Sequence, residues 1–231
     1  MENEFSSKLN SVKRLDEEAS RLGIGGNSSP DTDEQLYKKR MQKRKEIQSK
    51  RLQSRSTKKN LIIVFTGNGK GKTTASLGMA LRAIGHKEKV AIIQFIKGSW
   101  TTGEEKALKN FPDSISWHSL GEGFTWETQN RIKDEQLVKE AWQLAKKYIT
   151  NGTHKLIILD EINIATKLGY LSSTEIISFI KSLKKRHCHL VLTGRSASKE
   201  ILELADLVSE INLIKHPFKD QGIKAQKCIE Y

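Results

Sequence analysis

The apolar run Leu61–Phe65 leads without a break into Thr66-Gly67-Asn68-Gly69-Lys70-Gly71-Lys72-Thr73-Thr74, and an Ala- and Leu-rich stretch follows at once. Strand, glycine loop, Gly-Lys-Thr and helix, in that order, constrain the fold more than any other feature of the chain. Each residue type has a physical reason to be there. Glycines let successive backbone N–H groups turn inward around phosphate oxygens, and the new helix points its positive end at the same place. Lys72 adds a compact charge, and the Thr73 hydroxyl can ligate Mg²⁺. Gly67, Asn68, Gly69, Lys70, Gly71, Lys72, Thr73 and Thr74 are therefore the expected binding residues for a nucleotide's phosphates. The spacing departs from the common pattern at one place, because Thr66 stands where a glycine would open the loop. Such a loop can hold phosphates in a shifted register.

Beyond the loop, apolar runs alternate with helical stretches. Leu61–Phe65, Val90–Phe95, Leu156–Leu159, Leu190–Leu192 and Leu207–Leu213 read as strands. They are short and nearly continuous, as expected of parallel strands buried on both faces. Lys72–Ile84, Thr128–Ile149, Ser173–Lys185 and Lys199–Ala205 read as helices. The expected fold is α/β, of the P-loop NTPase (RecA-like) kind, with a mostly parallel sheet flanked by helices. Ligands of such sheets bind beyond the carboxyl ends of the strands. There, Leu156–Leu159 ends in Asp160-Glu161, and an apolar strand ending in acid is what a Walker B element needs to hold Mg²⁺ beside the loop. A glutamate directly after that aspartate also activates water in ATPases, so the pair leaves hydrolysis open.

Charge divides the chain. Of 231 residues, 40 are Lys or Arg and 27 are Asp or Glu, a net charge of +13. Between Gln35 and Lys59 eleven cations face one acid, Glu46, so this segment carries +10 of that surplus. It lacks glycine and proline and reads as a helix, or else as a solvated tail. Upstream, GIGGNSSPDTD (Gly23 to Asp33) is a breaker. The expected organisation is a disordered extension over 1–34, a basic N-terminal arm over 35–59 and a catalytic domain over 60–231. No run approaches the ~18 apolar residues of a membrane span, and residues 1–30 lack the apolar core of a secretory signal. Two cysteines, Cys188 and Cys228, make no disulfide framework, so a reducing cytoplasm is expected. His187-Cys188-His189 reads as the approach to a strand and not as a zinc site.

Gly123-Phe124-Thr125-Trp126-Glu127-Thr128-Gln129-Asn130-Arg131 sets two large aromatics one residue apart in a glycine-flanked loop. Such rings either plug a core or line a flat apolar ligand. With TGNGKGKTT, the QFIKG of Gln94–Gly98, GFTWETQNR, LDE at Leu159–Glu161, TGR at Thr193–Arg195, ADLVSE at Ala205–Glu210 and the ending KHPFKDQGIKAQKCIEY, the chain resembles the P-loop ATP:cob(I)alamin (corrinoid) adenosyltransferases. The resemblance runs from about Lys38 to Tyr231. Residues 1–34 look like an addition to the family pattern.

The resemblance implies that a Co(I) corrinoid, cob(I)alamin or a biosynthetic precursor, attacks the 5′ carbon of ATP and expels triphosphate. Cobalt is the nucleophile, so no catalytic Ser, Cys or His and no general base is needed. It implies Mg²⁺ on Thr73 and Glu161, with ATP phosphates running through the loop in reverse. Phe124 and Trp126 would pack on the corrin face, and a reduced flavoprotein or similar donor would supply electrons. The arm would close over an active site in a homodimer, against anionic substrates, with neither nucleic acid nor membrane as partner. The main alternative is a RecA-like ATPase stimulated by nucleic acid, and a small-molecule kinase is a third reading.

Overall fold

The computed structural model describes residues 30–55, 57–96, 101–120 and 130–229, and the chain divides into two units, Met1–Lys59 and Asn60–Tyr231. The first unit contributes helix α1 (Pro30–Gln53). Its composition explains it: Lys, Arg, Gln and Glu lose little rotamer freedom in a helix, and Lys38 pairs with Glu34 one turn away at 2.7 Å. The helix begins at Pro30 and not at Gln35 because proline, with φ already fixed near the helical value, is tolerated in a first turn. None of its described side chains is buried, so it has no core of its own.

The second unit holds six strands: β1 (Ile62–Thr66), β2 (Val90–Gln94), β3 (Ile115–Ser119), β4 (Leu156–Asp160), β5 (His189–Thr193) and β6 (Leu207–Glu210). All pair in parallel in the order β3-β2-β4-β5-β1-β6. Its described helices are α2 (Lys72–Gly85), α3 (Gly103–Leu108), α4 (Arg131–Asn151), α5 (Ile162–Lys167), α6 (Ser173–Ser182), α7 (Lys199–Leu204) and α8 (Pro217–Gln221). The expected α/β architecture is the one found. None of the described helices is long and apolar enough to cross a membrane.

Strand β3 escaped the sequence pattern for a physical reason. It lies at the sheet edge, and of its Ile-Ser-Trp-His-Ser only Ile115 is buried. Strand β6 ends at Glu210, before the expected Leu213, because the chain then turns onto the glycine loop. The expected start of α4 at Thr128 lies outside the described residues. Asn130 caps that helix by accepting from the Lys133 N–H, and Gly152, at φ 70°, closes it.

Alternate residues of the central strands enter two cores. Ile62, Val64, Ile93, Ile157, Leu159, Leu190 and Leu192 pack with α4 and α6 through Val138, Trp142, Ile176 and Ile180. Ile63, Ile92, Ile158 and Val191 face α2 through Leu77 and Ala80. Trp142 is 1% exposed; its Nε1–H donates to Glu175 at 2.7 Å and its ring meets Phe179 edge-on. Removing a buried ring of this size costs about 3–5 kcal/mol. Both layers cover the sheet, and its registers, Phe65 with Thr193 and Gln94 with Asp160, align the carboxyl ends of β1, β5, β4 and β2 along one rim.

Candidate active site

The glycine loop leaves that rim from β1. Thr66 is still strand, buried, and paired on both sides: its carbonyl accepts from the Ile211 N–H at 2.9 Å and its hydroxyl from the Ala197 N–H at 3.2 Å. A threonine fits there because the backbone does not yet need a positive φ. Gly67 does, with φ +92°, and a Cβ on it would lie 2.5 Å from the Ile211 carbonyl oxygen. The Gly69 N–H donates to that same oxygen at 2.6 Å. The chain following β6 thus forms one wall of the loop. Gly71, at φ 106°, opens α2.

The loop divides by exposure. Asn68, Lys70, Gly71 and Thr74 are exposed, Gly67 and Thr73 are half-buried, and Gly69 and Lys72 are buried. The Lys72 ammonium donates to the Gly69 carbonyl. Burial lowers its pKa; the nearby Glu161 opposes that shift and the cation of Arg195 adds to it. Beside the loop opens a cleft of about 470 Å³ lined by Asn68, Arg195, Asn212, Leu213, His216 and Lys219. Its walls carry cations and amides, which suits an anionic or hydrogen-bonding ligand.

The acidic pair meets the loop from β4. The Thr73 hydroxyl donates to Asp160 Oδ1 at 3.0 Å, and the Gln94 amide donates to Asp160 Oδ2 at 3.1 Å. Gln94 is tied in turn to the edge strand, where the Ser119 hydroxyl donates to its Oε1 at 2.7 Å. Glu161 stands in the left-handed region at φ 59°, where it opens α5. Its pKa is raised to about 7, first by burial and then by the Asp160 charge, against the pull of Lys72 and Arg195. The structure therefore brings Lys72, Thr73, Asp160 and Glu161 together at one rim. Asp160, with the direct bond to Thr73, was visible in the sequence as the strand-ending acid. Gln94, Thr193 and Arg195 stood inside recognisable motifs, but nothing in their residue type alone assigned them to this site.

Other assignments stand elsewhere. Phe124 and Trp126 lie outside the described residues, as do Lys97 and Gly98 of the QFIKG motif. His189 serves the sheet: its Nδ1 accepts from the Leu61 N–H at 3.0 Å.

Fold and site together define a parallel α/β protein of the phosphate-loop class. The chain belongs to the ATP:corrinoid adenosyltransferases: the family model described as "ATP:corrinoid adenosyltransferase BtuR/CobO/CobP" matches residues 58–231. A second model, "Cob(I)alamin adenosyltransferase N terminal", matches residues 27–52. The family pattern thus begins at residue 27 and includes residues 27–34, which the motifs alone had set outside it. A corrinoid adenosyltransferase of Sinorhizobium sp is 44% identical over 209 residues, 90% of this chain and 97% of the relative. One of Pseudomonas aeruginosa is 42% identical over 205 residues, 89% of this chain and all of the relative. One of Escherichia coli K12 is 40% identical over 198 residues, 86% of this chain and 99% of the relative. The chain is accordingly an enzyme with ATP and a corrinoid as its substrates, and the nucleic-acid-stimulated ATPase reading is not favoured.

Proposed function

We propose that this protein transfers the 5′-deoxyadenosyl group of ATP to the Co(I) of a reduced corrinoid, cobalamin or a precursor, and releases triphosphate. The observation that carries this reading is the family match over the domain that contains the Lys72–Thr73–Asp160–Glu161 rim. The cobalt electron pair forms the bond to C5′, and the C5′–O bond breaks with its pair going to the triphosphate. The protein then needs no nucleophile or base of its own. Its work is to align C5′ with cobalt and to stabilise the charge that gathers on the leaving group.

Loop amides and Lys72 hold the triphosphate. The donor set suits Mg²⁺: hard oxygens from Thr73, Glu161 and Asp160 adjoin a phosphate loop, and Mg²⁺ is commonly held by one or two carboxylates plus substrate phosphates. Thr73 and Glu161 would be its protein ligands. By donating its proton to Asp160, Thr73 keeps its lone pairs free for a cation. When bound, Mg²⁺ would neutralise part of the phosphate charge.

Phe124 and Trp126 pack against the corrin face and keep a lower ligand off cobalt, which eases reduction of Co(II) by a reduced flavoprotein or similar donor. The cations of the arm attract anionic substrates, and the enzyme works as a cytoplasmic homodimer. These roles rest on the family resemblance. Product analysis with ATP and a chemically reduced corrinoid tests the reaction. Triphosphate in equal amount to adenosylated corrinoid is the expected result; orthophosphate or ADP would replace this reading with an ATPase or a kinase.

A further inference from the structure

One buried hydroxyl serves both acids of the rim. Thr193 ends β5, which lies between the loop strand β1 and the acid strand β4. Its Oγ1 donates to Asp160 Oδ1 at 2.7 Å and accepts from the Glu161 N–H at 2.9 Å. The residue is 0% exposed, so bulk water does not compete for either bond. With its single proton committed to Asp160 and a lone pair to Glu161, the side chain cannot rotate without breaking both contacts.

Each contact meets a need. Strands β1 and β4 are not neighbours, so sheet pairing alone does not set the distance from Thr73 to Asp160. Thr193 holds the same Oδ1 that receives the Thr73 proton. Glu161, a non-glycine residue at φ 59°, occupies a backbone region that costs on the order of 1–2 kcal/mol. The bond from its N–H anchors it there.

We infer that Thr193 is a positioning residue for the cation and triphosphate site: its hydroxyl presets the Asp160 side chain and the Glu161 backbone, so that the Thr73 hydroxyl and the Glu161 carboxylate face the nucleotide together. This rests on the reading of Thr73 and Glu161 as cation ligands. Partners that orient metal ligands in this way are typically worth about 10–100-fold in metal affinity.

The test uses the full chain with ATP and Mn²⁺ as a paramagnetic stand-in for Mg²⁺, with bound Mn²⁺ read by electron paramagnetic resonance. Thr193→Val keeps the shape and removes the hydroxyl; Thr193→Ser keeps the hydroxyl; Thr193→Ala replaces the valine variant if that one does not fold. The expected result is a loss of about tenfold or more in Mn²⁺ affinity, with an altered spectrum, for the variant lacking the hydroxyl, and affinity within about twofold of the parent for Thr193→Ser. Equal loss in Thr193→Ser would mean that packing and not the hydroxyl matters, and would overturn the inference. So would parental Mn²⁺ binding in Thr193→Val beside weakened binding in Glu161→Gln. If Glu161→Gln and Asp160→Asn both bind Mn²⁺ as the parent does, the cation-site reading itself fails and takes this inference with it.

Discussion

The Thr73 hydroxyl and the Asp160 carboxylate, 87 positions apart in the chain, meet at 3.0 Å. One lies in the first turn of the helix after the glycine loop and the other ends β4, two places from the loop strand β1 in the sheet. The contact joins the glycine loop to the acidic rim, and the proposed triphosphate and cation site depends on that junction. Five expectations follow from the loop, the rim, the aromatic pair and the arm.

Lys72→Ala should weaken ATP binding by about 10- to 150-fold, because a charge-assisted contact to phosphate contributes on the order of 1.5–3 kcal/mol. Titration calorimetry with ATP measures this. Retained affinity in a folded variant would sink the loop assignment.

Gly67→Ala should destabilise the domain by about 2 kcal/mol or more, since an added methyl would lie 2.5 Å from the Ile211 carbonyl oxygen at φ +92°. Thermal unfolding is the measurement. The chain after β6 forms this wall, so a variant as stable as the parent would mean that the segment does not press on the loop.

Glu161 should give the nucleotide- and metal-free protein a recognisable pH dependence. Its carboxyl sits at about 7 in the folded chain against an ordinary 4.5, so the folded state binds the proton more tightly than the unfolded one. Stability from this group is therefore present below pH 4.5 and falls as pH rises to about 7, by at most about 3 kcal/mol. Glu161→Gln removes the slope: in denaturant titrations the variant should gain on the parent at pH 8 relative to pH 5. An identical difference at both pH values would contradict the placement of this carboxyl.

Phe124→Ala and Trp126→Ala should bind ATP as the parent does, yet lose most turnover when a weak reductant must reduce Co(II). Supplying preformed Co(I) should restore much of the rate. If both variants work normally with the weak reductant, the aromatic pair does not strip the lower ligand.

Deletion of residues 1–57 should raise the corrinoid KM substantially, since it removes nine of the eleven cations between Gln35 and Lys59. Steady-state kinetics with varied corrinoid decides it. Unchanged parameters would leave the segment as a solvated tail.

Much of this protein was legible from residue order. The loop from Thr66 to Thr74 could be read because its chemistry is local: glycine torsions, a helix start and a lysine all sit within nine positions. The central strands were legible because burial on both faces forces continuous apolar runs such as Leu156–Leu159. Edge strand β3 was not, because only Ile115 and Trp117 of its Ile-Ser-Trp-His-Ser turn to a core, too few apolar residues to stand out as a continuous run.

The rim required the assembled sheet. Nothing near Thr193 in the chain marks it as a partner of Asp160 and Glu161; β5 takes its place between β1 and β4 only when the strands pair. The same holds for Gln94, which reaches Asp160 because the two occupy opposed positions in the β2–β4 register. It holds also for the chain after β6, whose Ile211 carbonyl explains why Gly67 and Gly69 must lack side chains. Local sequence specifies torsions, caps and burial period. Contacts between distant segments depend on strand order and register, and these arise from packing every apolar face at once.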